Sequence, residues 1–285
     1  MERNFFFVKP DAVLSYTPVQ GVRWRMRLGR EVAQLNFNDF VSATVFEDDD
    51  LRLGNPNLRP DTTWKLELGY ERRFGGVSVV KLTGFYHRIT DVLDLLPLTP
   101  DFEVPGNIGD GRRWGLELEA TMPLEWLGLM ASKLDITLRW QDSTVVDPVT
   151  GEDRVLSGQG GVGAYRSLLA GNNNNKYFVR LNYRQDFEVE RVAWGWTLAE
   201  RDKRPLFKVN ELDVHNEGHA IDAFIETTRW FGLKVSIVGE NLLNFTQTRD
   251  RTVFAGERDF SAVDFHEIRE RFNGRRISLS VSGSF

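Results

Sequence analysis

Four histidines, His87, His215, His219 and His266, are the side chains best able to ligate a metal or move a proton near neutral pH. Their spacing supports neither chemistry. Only His215 and His219 lie near each other in sequence, around one polar stretch, and no carboxylate completes a ligand set. They stand as weak ligand-contact candidates beside the plainer reading of solvated loop histidines. The acidic run EDDD at 47–50 could hold a cation, but such a run on a loop is ordinarily solvated surface. GQGGVG at 158–163 lacks both the strand–helix context and the Lys-Ser/Thr ending of a phosphate loop. The chain has no cysteine, which removes thiolate metal sites, Cys nucleophiles and disulfides together. No catalytic set, metal site or cofactor is expected, and no enzyme.

The elements that must position any site are strands. Val22, Trp24, Met26 and Leu28 alternate with Arg23, Arg25 and Arg27. Trp64, Leu66, Leu68 and Tyr70 alternate with Lys65, Glu67 and Glu71, and Trp114, Leu116, Leu118, Ala120 and Met122 with Glu117 and Glu119. The same pattern recurs at 134–140 around Arg139, at 177–184 around Arg180 and Arg184, and at 192–198, 233–240 and 276–285. Weaker strands are expected at 11–16, 77–89 and 220–228, the second with a bulge where its period slips near Lys81. That makes about eleven strands, and no helical periodicity of any length.

The connections alternate in length. Tight ones at 18–21, 74–76, 124–132, 188–191 and 230–232 interleave with long ones at 30–61, 98–113, 146–176, 203–218 and 245–275. Every second hairpin end therefore lies on the same side, as in a membrane barrel with short turns on one side and long loops on the other. No stretch approaches the ~20 apolar residues of a spanning helix, a limit that does not touch barrel strands. The net charge of −5, with 36 basic residues interleaved among 41 acidic ones, argues against a nucleic-acid partner.

A soluble β-sandwich or barrel would also alternate. Two features favour lipid. The apolar face of nearly every strand carries no charge along its length, and so many strands closed around it would leave more interior than those side chains fill. Turned outward, that face meets lipid, and Trp24, Trp64, Trp114, Trp140 and Tyr177 suit interfacial girdles. The lumen-facing set is then Arg23, Arg25, Glu67, Glu117, Glu119, Arg139 and Arg180, with Arg27, Lys65, Glu71 and Arg184 beside them.

Five motifs in order add a family resemblance. GNPNLRPDTTWKLELGYERRF, whose Gly54, Asn55, Pro56, Leu58, Pro60 and Asp61 lead a loop into a strand, resembles the Asn-Pro-x-Leu-x-Pro-Glu stretch of TonB-dependent outer-membrane receptors. Asp61 stands where that family more often has Glu. FYHRITDVL at 85–93, NIGDGRRWGLELEA at 107–120 and VGENLLNFT at 238–246 resemble three further segments of the family. The closing strand, ending in Phe285, resembles the C-terminal signal read by the outer-membrane assembly machinery.

The resemblance implies that residues 1–285 are the C-terminal portion of a 22-stranded antiparallel transmembrane β-barrel. Signal peptide, TonB box, plug domain and N-terminal half-barrel are expected to lie outside this chain, since the apolar patch at 5–8 is too short for a signal core. Implied too are a bacterial outer-membrane location and energy-coupled uptake of a scarce ligand (siderophore, haem, cobalamin or oligosaccharide). The partners would be lipid, the plug, which the lumen-facing charges would contact, and the TonB–ExbB–ExbD complex. A passive outer-membrane channel, another β-barrel and a soluble binding protein are the alternatives.

Overall fold

The computed structural model describes residues 5–35, 45–47, 50–52, 54–100, 102–158 and 174–283. Twenty strands run through them: β1 (Asp11–Val19), β2 (Val22–Val32), β3 (Val45–Glu47), β4 (Asp50–Arg52), β5 (Thr62–Phe74), β6 (Ser78–Thr90) and β7 (Leu93–Thr99). There follow β8 (Phe102–Asn107), β9 (Gly111–Pro123), β10 (Ser132–Val146), β11 (Asp153–Arg154), β12 (Tyr177–Phe187), β13 (Val192–Arg201) and β14 (Arg204–Phe207). The last are β15 (Glu211–Asn216), β16 (His219–Thr227), β17 (Lys234–Glu240), β18 (Thr246–Phe254), β19 (Val263–Phe272) and β20 (Arg276–Ser282).

Eleven of these build one antiparallel wall in the order β1-β2-β5-β6-β9-β10-β12-β13-β16-β17-β20, with short β11 added at one end of β10. They are the eleven strands expected from alternation. The connections within the wall alternate short and long as the sequence implies, and each short turn has its own device. At the first, Gly21 takes φ +81° and its carbonyl accepts from Arg73 N of the neighbouring hairpin at 2.7 Å. The middling one folds as a single 3₁₀ turn, Glu125–Leu127, stopped by Gly128 in the left-handed region.

The polarity of the wall is the reverse of a soluble sheet. Leu68, Leu116 and Leu279 are more than half exposed, while Gln141 and Arg201, on the opposite face, are each 3% exposed. A water-soluble sheet buries the first kind and exposes the second. Exposed aromatic residues mark both ends of the apolar face. Trp64, Tyr86 and Trp140 sit towards the loops, with Trp24, Trp126 and Trp230 towards the turns. Trp24 packs against Tyr70 with the rings tilted by 55° and 4.8 Å between their centres. Five residues lie between Trp64 and Tyr70 along β5, about 20 Å of strand.

Two expectations are corrected. Strand β6 carries no bulge: it holds unbroken register with β5 from Phe74↔Ser78 to Thr62↔Thr90, and with β9. The slip in its period comes from content, because Val79, Phe85 and Ile89 place apolar groups on the charged face. The long connections are also not simply loops. Strands β7 and β8 form a hairpin beginning at Leu93, before the loop expected from residue 98. Strands β14, β15, β18 and β19 form a second sheet in that order from two connections far apart in sequence. Polar and charged side chains stand on both faces there, and the buried ones, such as Glu211, Asp213 and Arg251, are held in ion pairs, so no apolar stripe announces them. Residues 48–49, 159–173 and Phe285 lie outside the described residues, and with them half of the acidic run, most of GQGGVG and the terminal Phe.

Candidate functional site

The charged face of the wall collects the expected lumen set in register. Arg23 stands opposite Glu71 and Arg25 opposite Gly69 near the turn end of β2, both exposed. Glu67 lies 3.9 Å from both Arg27 and His87. Glu119 pairs with Lys81 at 2.5 Å. Glu117 stands opposite Arg139 across β9 and β10. Arg139 and Arg180 approach the Phe178 ring, each 5.8 Å from its centre. Glu117, Arg139 and Arg180 are thus brought together near the loop end, while Arg23 and Arg25 stand apart from them.

The loop-to-strand motif is a clasp. Pro56 and Pro60 restrict the backbone, and Asn55 closes the turn: its Oδ1 accepts from Asn57 N at 2.8 Å and its carbonyl from Leu58 N. Leu58 is thereby driven inward to 1% exposure. Asn55 Nδ2 donates to Pro105 O at 3.0 Å. Asn107 then behaves like a short length of strand, since its Oδ1 accepts from Arg59 N and its Nδ2 donates to Arg59 O and Asp91 O. Two of the segments that carry the family resemblance therefore hold each other, pinning the β7–β8 hairpin to the segment that leads into β5. Asp61 accepts a bond from Leu93 N, and burial raises its carboxyl above the usual range despite that bond and nearby Arg113.

Beyond the wall, the loop segments are joined by buried ion pairs. Asp147 turns the chain after β10 by accepting from Val149 N and Thr150 N. Its other oxygen meets Arg154 Nε at 2.5 Å and Arg258 Nη2 at 2.7 Å. Arg154 reaches on to Asp94 of β7 at 3.0 Å and stacks 4.3 Å from the Phe207 ring centre, with Arg258 5.2 Å from that ring. Arg258 Nε donates to Lys208 O, and Glu103 of β8 accepts from Val209 N. A second network crosses the loop sheet: Arg251 forks onto Glu211 and also meets Glu267, Asp213 meets Arg249 and His215, and Glu217 pairs with both Arg201 and Arg204.

The two weak ligand candidates have separate neighbours. His215 is tied to Asp213 at 3.2 Å, and His219 opens β16 with its ring 4.9 Å from that of Phe245. Among the described residues no three His, Cys, Asp or Glu side chains form a possible metal site. The network residues Asp147, Arg154, Arg258, Glu211 and Arg251 escaped sequence reasoning. Only the turn at Asp147 had a local signal, in Asp-Pro-Val-Thr-Gly.

The networks make the loop platform acid-sensitive. Burial pushes the Asp213 carboxyl up, but bonds from His215 and Arg249 outweigh it and hold it at about 2. A carboxylate depressed on folding stabilises fully above its unfolded value and loses that contribution as pH falls through its folded value. Asp213 therefore contributes about 2 kcal/mol that disappears between roughly pH 4 and pH 2. Pepsin cleavage within β15 and β18 should rise steeply over that window, and Asp213→Asn should flatten the rise. An unchanged profile in the variant would assign the sensitivity elsewhere.

The family described as TonB dependent receptor-like, beta-barrel, matches residues 2–242. No curated protein sequence matches the chain. Among solved structures the chain is similar to the FrpB iron transporter of Neisseria meningitidis, with TM-score 0.56 and 12% identity, over 96% of this chain and 38% of that one. It is also similar to a mutant of the ferric enterobactin receptor PfeA of Pseudomonas aeruginosa in complex with enterobactin, with TM-score 0.57 and 14% identity, over 97% of this chain and 40% of that one. At such identities the likeness is one of fold. The chain spans about two fifths of the length of these structures. An outward apolar wall of eleven antiparallel strands, a charged inner face and a family match over most of the sequence agree: the chain belongs to the TonB-dependent receptor-like β-barrel family.

Proposed function

We propose that this chain supplies eleven wall strands and the external platform of a bacterial outer-membrane receptor for energy-coupled uptake of a scarce ligand. The observation that carries the reading is the inverted wall, apolar outside and charged inside, on a chain of this family. Lipid would cover the apolar face. Arg23, Arg25, Glu67, Glu117, Glu119, Arg139 and Arg180 would meet the polar surface of a plug, as in-lumen charges that bond it without fixing it. A TonB–ExbB–ExbD complex would move that plug using proton-motive force. The two similar structures are named an iron transporter and a ferric enterobactin receptor, so ferric siderophores are the first ligands to offer.

The test uses cells whose own siderophore receptors are deleted and which express the receptor bearing this chain. Accumulation of radiolabelled ferric siderophore, haemin or cobalamin is followed with and without a protonophore. Uptake of at least one ligand that stops when the proton-motive force collapses supports the reading. Uptake indifferent to the protonophore would make the barrel a passive channel instead.

A further inference from the structure

At the loop-side margin of the outward face, apolar residues give way abruptly to arginine. Strands β2, β5, β6 and β9 bring Leu28, Leu66, Tyr86 and Trp114 into one outward row, each directly opposite the next. The next outward row towards the loops, in the same register, is Arg30, Trp64, Arg88 and Arg112. Charge thus begins one pleat beyond Tyr86 and Trp114, about 7 Å along each strand. The basic row is confined to this sector. On β13 and β16 the outward residues at the loop end are Glu200 and His219, opposite each other.

The arrangement is unfavourable by itself. Arg88 and Arg112 face each other across adjacent strands with Cβ atoms about 5 Å apart, and like charges so placed repel. Arg88 reaches Asp110 at 3.6 Å, with both side chains more than half exposed. Exposed Arg112 lies over the Trp114 ring, 5.7 Å from its centre. Arg30 stands about 10 Å from Arg88 on the other side of Trp64. It makes one long bond, from Nη2 to Thr62 Oγ1 at 3.4 Å, and its Nε is buried without a partner. Among the described residues Asp110 is the one carboxylate paired with any of the three. Three guanidinium groups less one carboxylate leave two positive charges on this part of the outward face.

We propose that Arg88 and Arg112, with Arg30 beside them, hold the phosphate of an anionic lipid headgroup in the leaflet on the loop side. This rests on the barrel reading above, which puts the outward face in lipid. Guanidinium forks match phosphate oxygens two at a time, and a bridging anion replaces the Arg88–Arg112 repulsion with attraction to a shared partner. A phosphomonoester carries about −1.5 to −2 charge near neutral pH, which matches the surplus. The surroundings suit the rest of a lipid. Trp64, between Arg30 and Arg88, offers an amphipathic ring at headgroup depth, and the Tyr86–Trp114 pair leads on to the apolar band. A free anion would make no use of that apolar surround.

Thermal unfolding of the receptor bearing this chain, in nanodiscs of phosphatidylcholine with and without phosphatidic acid, tests this. Phosphatidic acid should raise the midpoint and stay bound when excess lipid is removed, as read by native mass spectrometry. Arg88→Gln with Arg112→Gln should weaken that retention about tenfold or more, the equivalent of one lost bond to a charged group. In phosphatidylcholine alone the same variant should be no less stable than the parent, because a like-charge pair is gone. A lower midpoint in both lipids would mean a merely structural role and overturn the site, as would unaltered retention. Equal stabilisation by inorganic phosphate would overturn the lipid assignment. Arg72→Gln removes an exposed outward arginine at the turn end of β5. An equal loss of retention there would reduce the effect to general charge and overturn the site too. A receptor that stays in solution without discs or detergent would overturn the barrel reading, and the site with it.

Discussion

Asp147→Ala is expected to loosen the loop platform by about 3–5 kcal/mol, the usual result of removing one partner from a buried ion pair. Asp147 is 1% exposed at its side chain, and the arginines it holds, Arg154 and Arg258, are 7% and 5% exposed. Arg154 keeps a second carboxylate in Asp94. Among the described residues Arg258 keeps the exposed Asp259 at 3.5 Å, the Lys208 carbonyl and the Phe207 ring, but no buried carboxylate, so its charge is left largely uncompensated. The turn after β10 also loses the acceptor for Val149 N and Thr150 N. Asp147→Asn separates the two effects, because an amide oxygen still accepts those bonds but bears no charge. The measurement is limited proteolysis of the folded barrel, with cleavage expected in the loops and the wall intact. Because Arg258→Ala removes the same pair from its other side, the double variant should fall short of the sum of the singles by about 1–3 kcal/mol. Simple additivity would mean that the contact holds nothing together.

Why the sequence disclosed the wall and concealed the platform follows from what each faces. On the proposed reading a wall strand meets lipid on one side, which excludes charge from every second position, and a period of two is visible even at mean hydropathy of −0.35. All eleven strands were legible for that reason, and so was the side on which the long connections lie. Strand β6 shows the limit, since Phe85 and Ile89 on the inner face blur the period without disturbing the register. In the loop sheet no such demand forbids charge on either face. In β18, TQTRDRTVF, Arg249 and Arg251 alternate with Thr248, Asp250 and Thr252, which is polar on both sides and reads as loop. Pairings such as Arg258 with Asp147 join residues 111 positions apart, and no local pattern encodes them. The clasp falls between these cases. Pro56, Pro60 and Asn55 announced a turn, but that Asn107 would bond both sides of Arg59 needed the fold.

Gly115→Val should prevent the wall from forming. Gly115 lies on the inner face of β9, opposite Phe85 and Gln141. A Cβ placed there would meet the Trp140 carbonyl oxygen at 2.2 Å and the Gln141 Cα at 2.8 Å. Both are backbone atoms of the adjacent strand and cannot swing aside as a side chain would. Gln141 is itself fixed, its amide N donating to Lys176 O and its Nε2 to Asn175 O, each at 2.8 Å. Overpacking a tight site costs about 1–3 kcal/mol when side chains can adjust, and more here, because β9 and β10 would have to part along a register of thirteen paired residues. Gly84 is the matched control one strand away. A Cβ there would meet only Leu116 Cδ2, at an ordinary 3.5 Å, so Gly84→Ala should fold as the parent does. Folding is read from resistance to trypsin in detergent and from the faster gel migration of unheated barrel. Loss of both in Gly115→Val, with Gly84→Ala unaffected, would place the intolerance in the approach of two backbones rather than in glycine content. A Gly115→Val protein that folds normally would mean that β9 and β10 lie further apart than this register allows.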